Sequence, residues 1–405
     1  MVDIFIGVIL IALGIMGLSQ DWPTSSIFLC VFSSVAFSAI GAMMVAAGIR
    51  TEGSRSSVWV SEGRDVTVDI LRGFAIFTMA AANLAPIALL EPHPFLFRFY
   101  GTFAAPIFIT LAGMMVVHTT RKKGYGFGYF LIRGLGLIVV GALIEIIGTL
   151  TYPFMIVDVL YLIGLSLPIV YAFQFCSKAT RWFFMICLFL MTPLLQKMLG
   201  YTSYPTSYYL WGAPIVNVPD PTSVLNHWII DGFFPIFPWL GFALFGSNLG
   251  DLRWGKKTGI SFGHGQATLW GVCILVVGSI LWMLYPGSLL VRAGYSELFY
   301  PPTLGYITTT LGLILLLFSL VDRDPATFLF APFRLLGESS LALYVLHLIL
   351  IHWVFALLMV PEPFGWFVFA YIVLMSLLFA AAYCLRYLKT QWKDRPVICR
   401  FLLSG

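Results

Sequence analysis

Twelve apolar stretches, each close to the length needed to cross a bilayer, constrain this chain more than any other feature. They lie at about 2–19, 26–49, 66–90, 100–120, 127–150, 153–176, 182–199, 232–250, 267–285, 303–321, 335–359 and 363–388. A helix rises about 1.5 Å per residue, so roughly 20 apolar residues span the hydrocarbon core. Backbone groups in lipid must bond within their own segment, which makes these runs helices. They are too long for barrel strands and lack the two-residue alternation of one. The expected fold is all-α: a polytopic integral membrane helical bundle of about 12 transmembrane helices, with 10 as the lower bound. Composition agrees, because 10% of the 405 residues are charged and 60% are hydrophobic, whereas a soluble domain carries about a quarter charged. A cytosolic enzyme, a disordered chain and a nucleic-acid binder are excluded together.

The breaks between runs alternate in charge. Eighteen Lys and Arg residues fall in one set of loops and the C-terminal tail, and three (Arg98, Lys197, Arg292) in the other. Basic loops are retained on the cytoplasmic side, so both termini are expected to be cytoplasmic, in a multi-pass protein of the cell membrane. The first run lacks a basic leader and is followed at once by a second. Residues 1–50 therefore read as an N-terminal transmembrane hairpin rather than a cleaved signal, and 51–405 as the main domain. The six cysteines are scattered with no CxxC, so neither a disulfide nor a metal site is expected.

Ionisable groups at membrane depth are costly and mark functional candidates. Arg64, Asp65, Asp69 and Arg72 open the third run, with Asp69 and Arg72 spaced to pair on one helical face. Asn83 lies about three turns beyond Arg72. His93 follows, held between Pro92 and Pro94, which deny it a helix. Glu145, Asp158, His227, Asp231, His347 and His352 put further carboxylates and imidazoles in the outer half. The bland reading of each is a local pair that stabilises helix packing. Arg133 sits two turns into the fifth run, near the level of Arg72, above a turn with Arg121, Lys122, Lys123 and three glycines. These cations can cradle phosphates bidentately or snorkel to lipid headgroups, and both readings stay open. The glycines follow no soluble nucleotide-binding spacing.

These residues resemble a known family. Asp69-x2-Arg72-Gly73, Met79, Asn83 and His93, then Ala105-Pro106-x-Phe108-x4-Gly113, are similar to transmembrane acyltransferases of the heparan-α-glucosaminide N-acetyltransferase type. Asp231-Gly-Phe-Phe-Pro235-x2-Pro238-Trp239-x-Gly241 resembles that family's aromatic span entrance. Gly337-x2-Ser340-Leu-x2-Tyr344-x2-His347 is similar to an element of the wider membrane acyltransferase superfamily. The resemblance covers about 64–350. It implies transfer of an acetyl group from cytoplasmic acetyl-CoA, or another acyl-CoA, to an acceptor on the far side. It maps the catalytic histidine onto His93 and its asparagine partner onto Asn83.

The expected chemistry is acyl transfer by an acyl-CoA-dependent N- or O-acetyltransferase. His93 acts as general base or as acyl carrier, and Asn83 orients the thioester or donates to the oxyanion. Asp158 or Asp231 orients the imidazole. Arg72, Arg133, Arg121 and Lys122 hold the donor's phosphates. The expected partners are the bilayer, the acyl-CoA and an extracytoplasmic sugar, glycan or lipid-linked acceptor; a homodimer stays among the open assemblies. The competing reading is a transporter or flippase whose substrate path is lined by the same polar residues.

Overall fold

The structure, a computed structural model, describes residues 60–61, 64–91, 93, 95–201, 221–255, 261–263, 265–285, 298–392 and 401–402. The first two apolar runs lie outside these residues, as does most of the loop between 200 and 231. A two-residue antiparallel ladder, β1 (Val60–Ser61) with β2 (Arg64–Asp65), leads into the helices.

The helices are α1 (Val66–Ala88), α2 (Phe95–Thr102), α3 (Ala104–Lys123), α4 (Phe127–Leu143), α5 (Val159–Phe173), α6 (Lys178–Leu199) and α7 (Pro221–Asn226). They continue with α8 (Ile236–Arg253), α9 (Gly265–Leu284), α10 (Leu304–Arg323), α11 (Ala331–Gly337), α12 (Ser340–Leu350), α13 (Ala356–Leu358) and α14 (Phe364–Gln391). Among the described residues eight helical segments are long and apolar enough to cross a membrane, or nine if a bent pair counts as one span. The chain is thus a multi-pass membrane protein. The bent pair turns by 50° between residues 224–231 and 236–253, where Pro235, Pro238 and a non-helical Phe237 interrupt the helix.

The run expected at 153–176 forms a shorter helix, the 15-residue α5. Its first residues are spent on an irregular turn in which Leu150, Phe154 and Val157 all adopt positive φ. That turn is bonded into the bundle: the Phe154 N–H donates to Glu145 at 2.8 Å, and Ile156 and Val157 accept from the Phe233 and Phe234 amides. Three π-helical turns lie beside these breaks, at Ile144–Thr149, His227–Asp231 and Ile351–Phe355. Such turns often accompany functional sites.

Lipid offers no hydrophobic drive between helices, so close backbone packing must hold them. Glycine supplies it at two crossings. A Cβ on Gly246 of α8 would stand 1.9 Å from the Thr110 carbonyl oxygen of α3, and one on Gly113 of α3 would meet Ala243 of α8 at 2.0 Å. A Cβ on Gly337 of α11 would meet the Asp69 carbonyl oxygen at 1.7 Å, and one on Gly73 of α1 the Phe333 carbonyl oxygen at 1.7 Å. No side chain fits at any of these four positions.

One end of the bundle is clamped by buried charge. Arg253, at the end of α8, has a fully buried side chain that bonds Asp65 at 2.6 and 3.0 Å. It also reaches Asp322, near the end of α10, at 2.5 and 2.9 Å. Asp322 accepts further from the Thr67 hydroxyl at 2.5 Å and the Phe262 amide at 2.7 Å. The rings of Phe262 and Phe318 flank the guanidinium. The sequence groups Arg253 with the loop cations; its partners show it to be internal. Replacing Arg253 with Met leaves two buried carboxylates unpaired, which costs about 3–5 kcal/mol. Lys also fails to restore the geometry, because it cannot fork to two carboxylates. Thermal unfolding of the detergent-solubilised protein checks this: equal midpoints for Arg253→Met and wild type would refute it.

Candidate active site

A cavity of about 200 Å³ opens among α1, α3, α4, α5 and α12. Arg72, Lys123 and Arg133 are its charged lining residues. Phe108, Met115, Val116, Leu160 and Ile163 are among its apolar walls, and Ser340 and Tyr344 line it from α12.

Each cation is placed by its own helix. Arg72 lies in the second turn of α1, 3.7 Å from Asp69, which Arg64 also grips at 2.7 and 2.8 Å. The Asp69–Arg72 pairing expected from the spacing is therefore present, with Arg64 as the closer partner. Arg133 stands in the second turn of α4, and Lys123 is the last residue of α3. The other two expected phosphate ligands are elsewhere. Arg121 is bound to the Asp251 carboxylate, which Arg181 also contacts, and donates to the Trp254 carbonyl at 2.9 Å. Lys122 is exposed and does not line the cavity, whereas its neighbour Lys123 does. A carboxylate one helix away claims Arg121, and the helical rotation favours Lys123. Neither effect is visible in a run of three basic residues.

Two linked pairs lie along α12, and of their four residues Tyr344 lines the cavity. The Tyr344 hydroxyl donates to Asp158 Oδ2 at 2.5 Å. One turn further along α12, the ring of His347 packs edge-on against Tyr344 with centroids 5.3 Å apart. His347 Nδ1 faces the Leu343 carbonyl at 3.2 Å, and its Nε2 meets the Asn83 side-chain amide at 2.9 Å. The carbonyl requires the proton on Nδ1, so Nε2 accepts from Asn83 and the imidazole is neutral. His347 is 1% exposed. Asn83 thus pairs with His347, where the resemblance pairs it with His93.

His93 lies beyond the end of α1, half-buried, with Nε2 on the Leu89 carbonyl at 3.1 Å and its ring edge-on to Phe97. That bond puts the proton on Nε2 and the lone pair on Nδ1. Burial is the main influence on this imidazole and lowers its pKa below the ordinary value; the Leu89 bond and Glu91 oppose the shift.

Asp231 belongs to a different pair. It is fully buried and takes His227 Nδ1 at 2.7 Å across the π turn before α8. Glu145 is bound through Oε2 to the Phe154 amide at 2.8 Å and to the Tyr161 hydroxyl. Among the described residues, its Oε1 and the Nε2 of His227 are buried with no hydrogen-bond partner. Trp228 Nε1 donates to the Phe154 carbonyl at 3.1 Å, so Phe154 bonds both Glu145 and Trp228.

Sequence reasoning missed the contacts of Tyr344, His347 and Lys123. The Tyr344-x2-His347 spacing was the available signal, since residues three apart on a helix share a face. What it lacked was the facing partners, which come from α1 and from the start of α5.

Comparison with known proteins identifies the family of the chain. The family described as heparan-alpha-glucosaminide N-acetyltransferase, catalytic, matches residues 64–285, just over half of the chain. A comparison with curated proteins finds no match. The matched stretch runs from the start of α1 to the end of α9 and carries all three cavity cations. The chain belongs to the heparan-alpha-glucosaminide N-acetyltransferase catalytic family, a family of membrane acetyltransferases.

Proposed function

We propose that this protein moves an acetyl group from acetyl-CoA to an amine or hydroxyl acceptor on the opposite face of the membrane. The observation that carries the reading is one cavity with three cations, an apolar wall and a polar boundary built from Tyr344–Asp158. This combination suits an acyl-CoA, which has anionic phosphates, a long uncharged arm and a thioester. The excess of basic loops on one side supports a cytoplasmic origin for the donor. The acceptor is then extracytoplasmic, such as a sugar, glycan or lipid-linked molecule. Residues 51–405 form the acyltransferase unit, in a cell membrane.

Arg72, Arg133 and Lys123 hold phosphates, the two arginines bidentately. Asn83 is anchored through one N–H to His347, and its second N–H supplies the oxyanion donor. His347 acts through Asn83 and is a positioning residue. Asp158 fixes Tyr344 at the boundary of the cavity. His93 is the general base. The acceptor's nitrogen or oxygen bonds to the thioester carbonyl carbon and the C–S bond breaks. The acceptor's proton passes to His93 Nδ1 and from there to the departing thiolate, so the imidazole returns neutral. The alternative order, with an acetyl group carried on His93, is resolved by incubating pure protein with labelled acetyl-CoA alone. Label retained on the wild type and lost in His93→Ala supports the covalent route.

Two outcomes test the roles. Asn83→Ala lowers kcat by about 100-fold, the scale of a lost oxyanion donor, and leaves the KM for acetyl-CoA nearly unchanged. His347→Ala follows it in the same direction, and the double variant is no worse than Asn83→Ala, because the two act as one unit. Additive losses would sink the positioning role.

The second outcome concerns pH. A base must be neutral, and burial lowers the pKa of His93, so the base stays active as pH falls through the ordinary imidazole value near 6.5. The acid limb of the kcat/KM profile is expected below 6.5. A limb at or above it contradicts the assignment, as does undiminished transfer by His93→Ala.

A further inference from the structure

The cavity cations present a problem of placement. Arg72, Arg133 and Lys123 line one small space, where like charges repel and a long side chain near the membrane surface is free to swing toward water. Arg72 is restrained by Asp69. Arg133 is restrained differently: its guanidinium carbon lies 5.4 Å from the ring centre of Phe401. Phe401 belongs to a short helical piece, residues 401–402, far from α4 in sequence and well beyond the family-matched stretch.

The seat for this ring is built into α4. Gly136 is three residues after Arg133, on the same helical face. A Cβ placed there would stand 2.9 Å from Phe401 Cζ and 3.0 Å from Cε2. A larger residue would push the ring out of the notch. The notch and the guanidinium together hold one ring, which packs against the main core. An aromatic face attracts a guanidinium through its flat face, and this contact itself uses none of the N–H donors that recognise phosphate. A carboxylate in the same place would compete for those donors.

We propose that Phe401 is a positioning residue of the donor site: seated in the Gly136 notch, it holds Arg133 in the cavity for an anionic phosphate of the donor. The inference rests on the donor reading above and adds a residue from outside the matched family region. It assigns to the C-terminal tail a part in phosphate recognition and none in the acyl-transfer step. It also predicts a selectivity that a merely structural role would not give: the effect is confined to ligands that carry phosphates.

Equilibrium binding of CoA and of pantetheine to the full-length, detergent-solubilised protein tests this without any acceptor. Phe401→Ala is expected to weaken CoA about fivefold, within the range of a cation–π contact, and to leave pantetheine unchanged within twofold. Phe401→Trp restores CoA binding, and Gly136→Val, which fills the notch, reproduces the loss. Pantetheine binding in each variant reports that the bundle is intact. If Phe401→Ala binds CoA as tightly as wild type, or more tightly, the positioning role is overturned. An equal loss for pantetheine overturns it as well. If the wild type binds neither ligand, the donor reading itself fails, which is a different result from a wild type that binds CoA and a variant that does too.

Discussion

A buried guanidinium organises one end of this bundle. Arg253 joins Asp65, just before α1, to Asp322 near the end of α10. The Thr67 hydroxyl and the Phe262 amide close around the same carboxylate. An arginine this deep is tolerable only because both partners and their remaining hydrogen bonds are present. The arrangement sets where α1 begins. The position of α1 in turn decides how far Arg72 and Asn83 reach along the bundle, so both inherit their placement from a buried charge cluster.

Backbone packing then sets the cavity. Gly113 and Gly246 bring α3 and α8 into contact, and Gly73 and Gly337 do the same for α1 and α11. With α1 and α3 fixed in this way, α4, α5 and α12 close a space lined by cationic, apolar and hydroxyl-bearing residues. Helix breaks bring the polar groups to it. The break between α11 and α12 starts a new helix at Ser340, which carries Tyr344 to Asp158 and His347 to Asn83. The irregular turn before α5 holds Asp158 at a helix start. A set of unbroken helices would not deliver these groups.

Much of this was legible in the residues. The apolar runs that fall within the described residues each contain a helix, the arginines at 72 and 133 share a cavity, and the motif around Asn83 identifies the family. Other assignments depended on which side-chain partner the folded bundle supplies. Arg121 reads as a phosphate ligand until Asp251 takes it. The family resemblance makes Asn83 the partner of His93, yet a helix from the other half of the chain puts His347 against it. Asp231 is committed to His227, four residues before it, a spacing that was available in the sequence but does not say which of several partners wins.

Hydrophobicity is local. Whether a segment of about 20 residues partitions into lipid depends on its own composition, and so the sequence alone determined that this chain is a helical membrane protein and which family it joins. Hydrogen bonds and ion pairs between helices depend on rotation and depth, which no single segment contains. Tertiary packing therefore decided which cation lines the cavity, which histidine holds Asn83, and that Phe401 lies on Arg133. Each is a contact between helices that only the assembled bundle brings within a few ångströms.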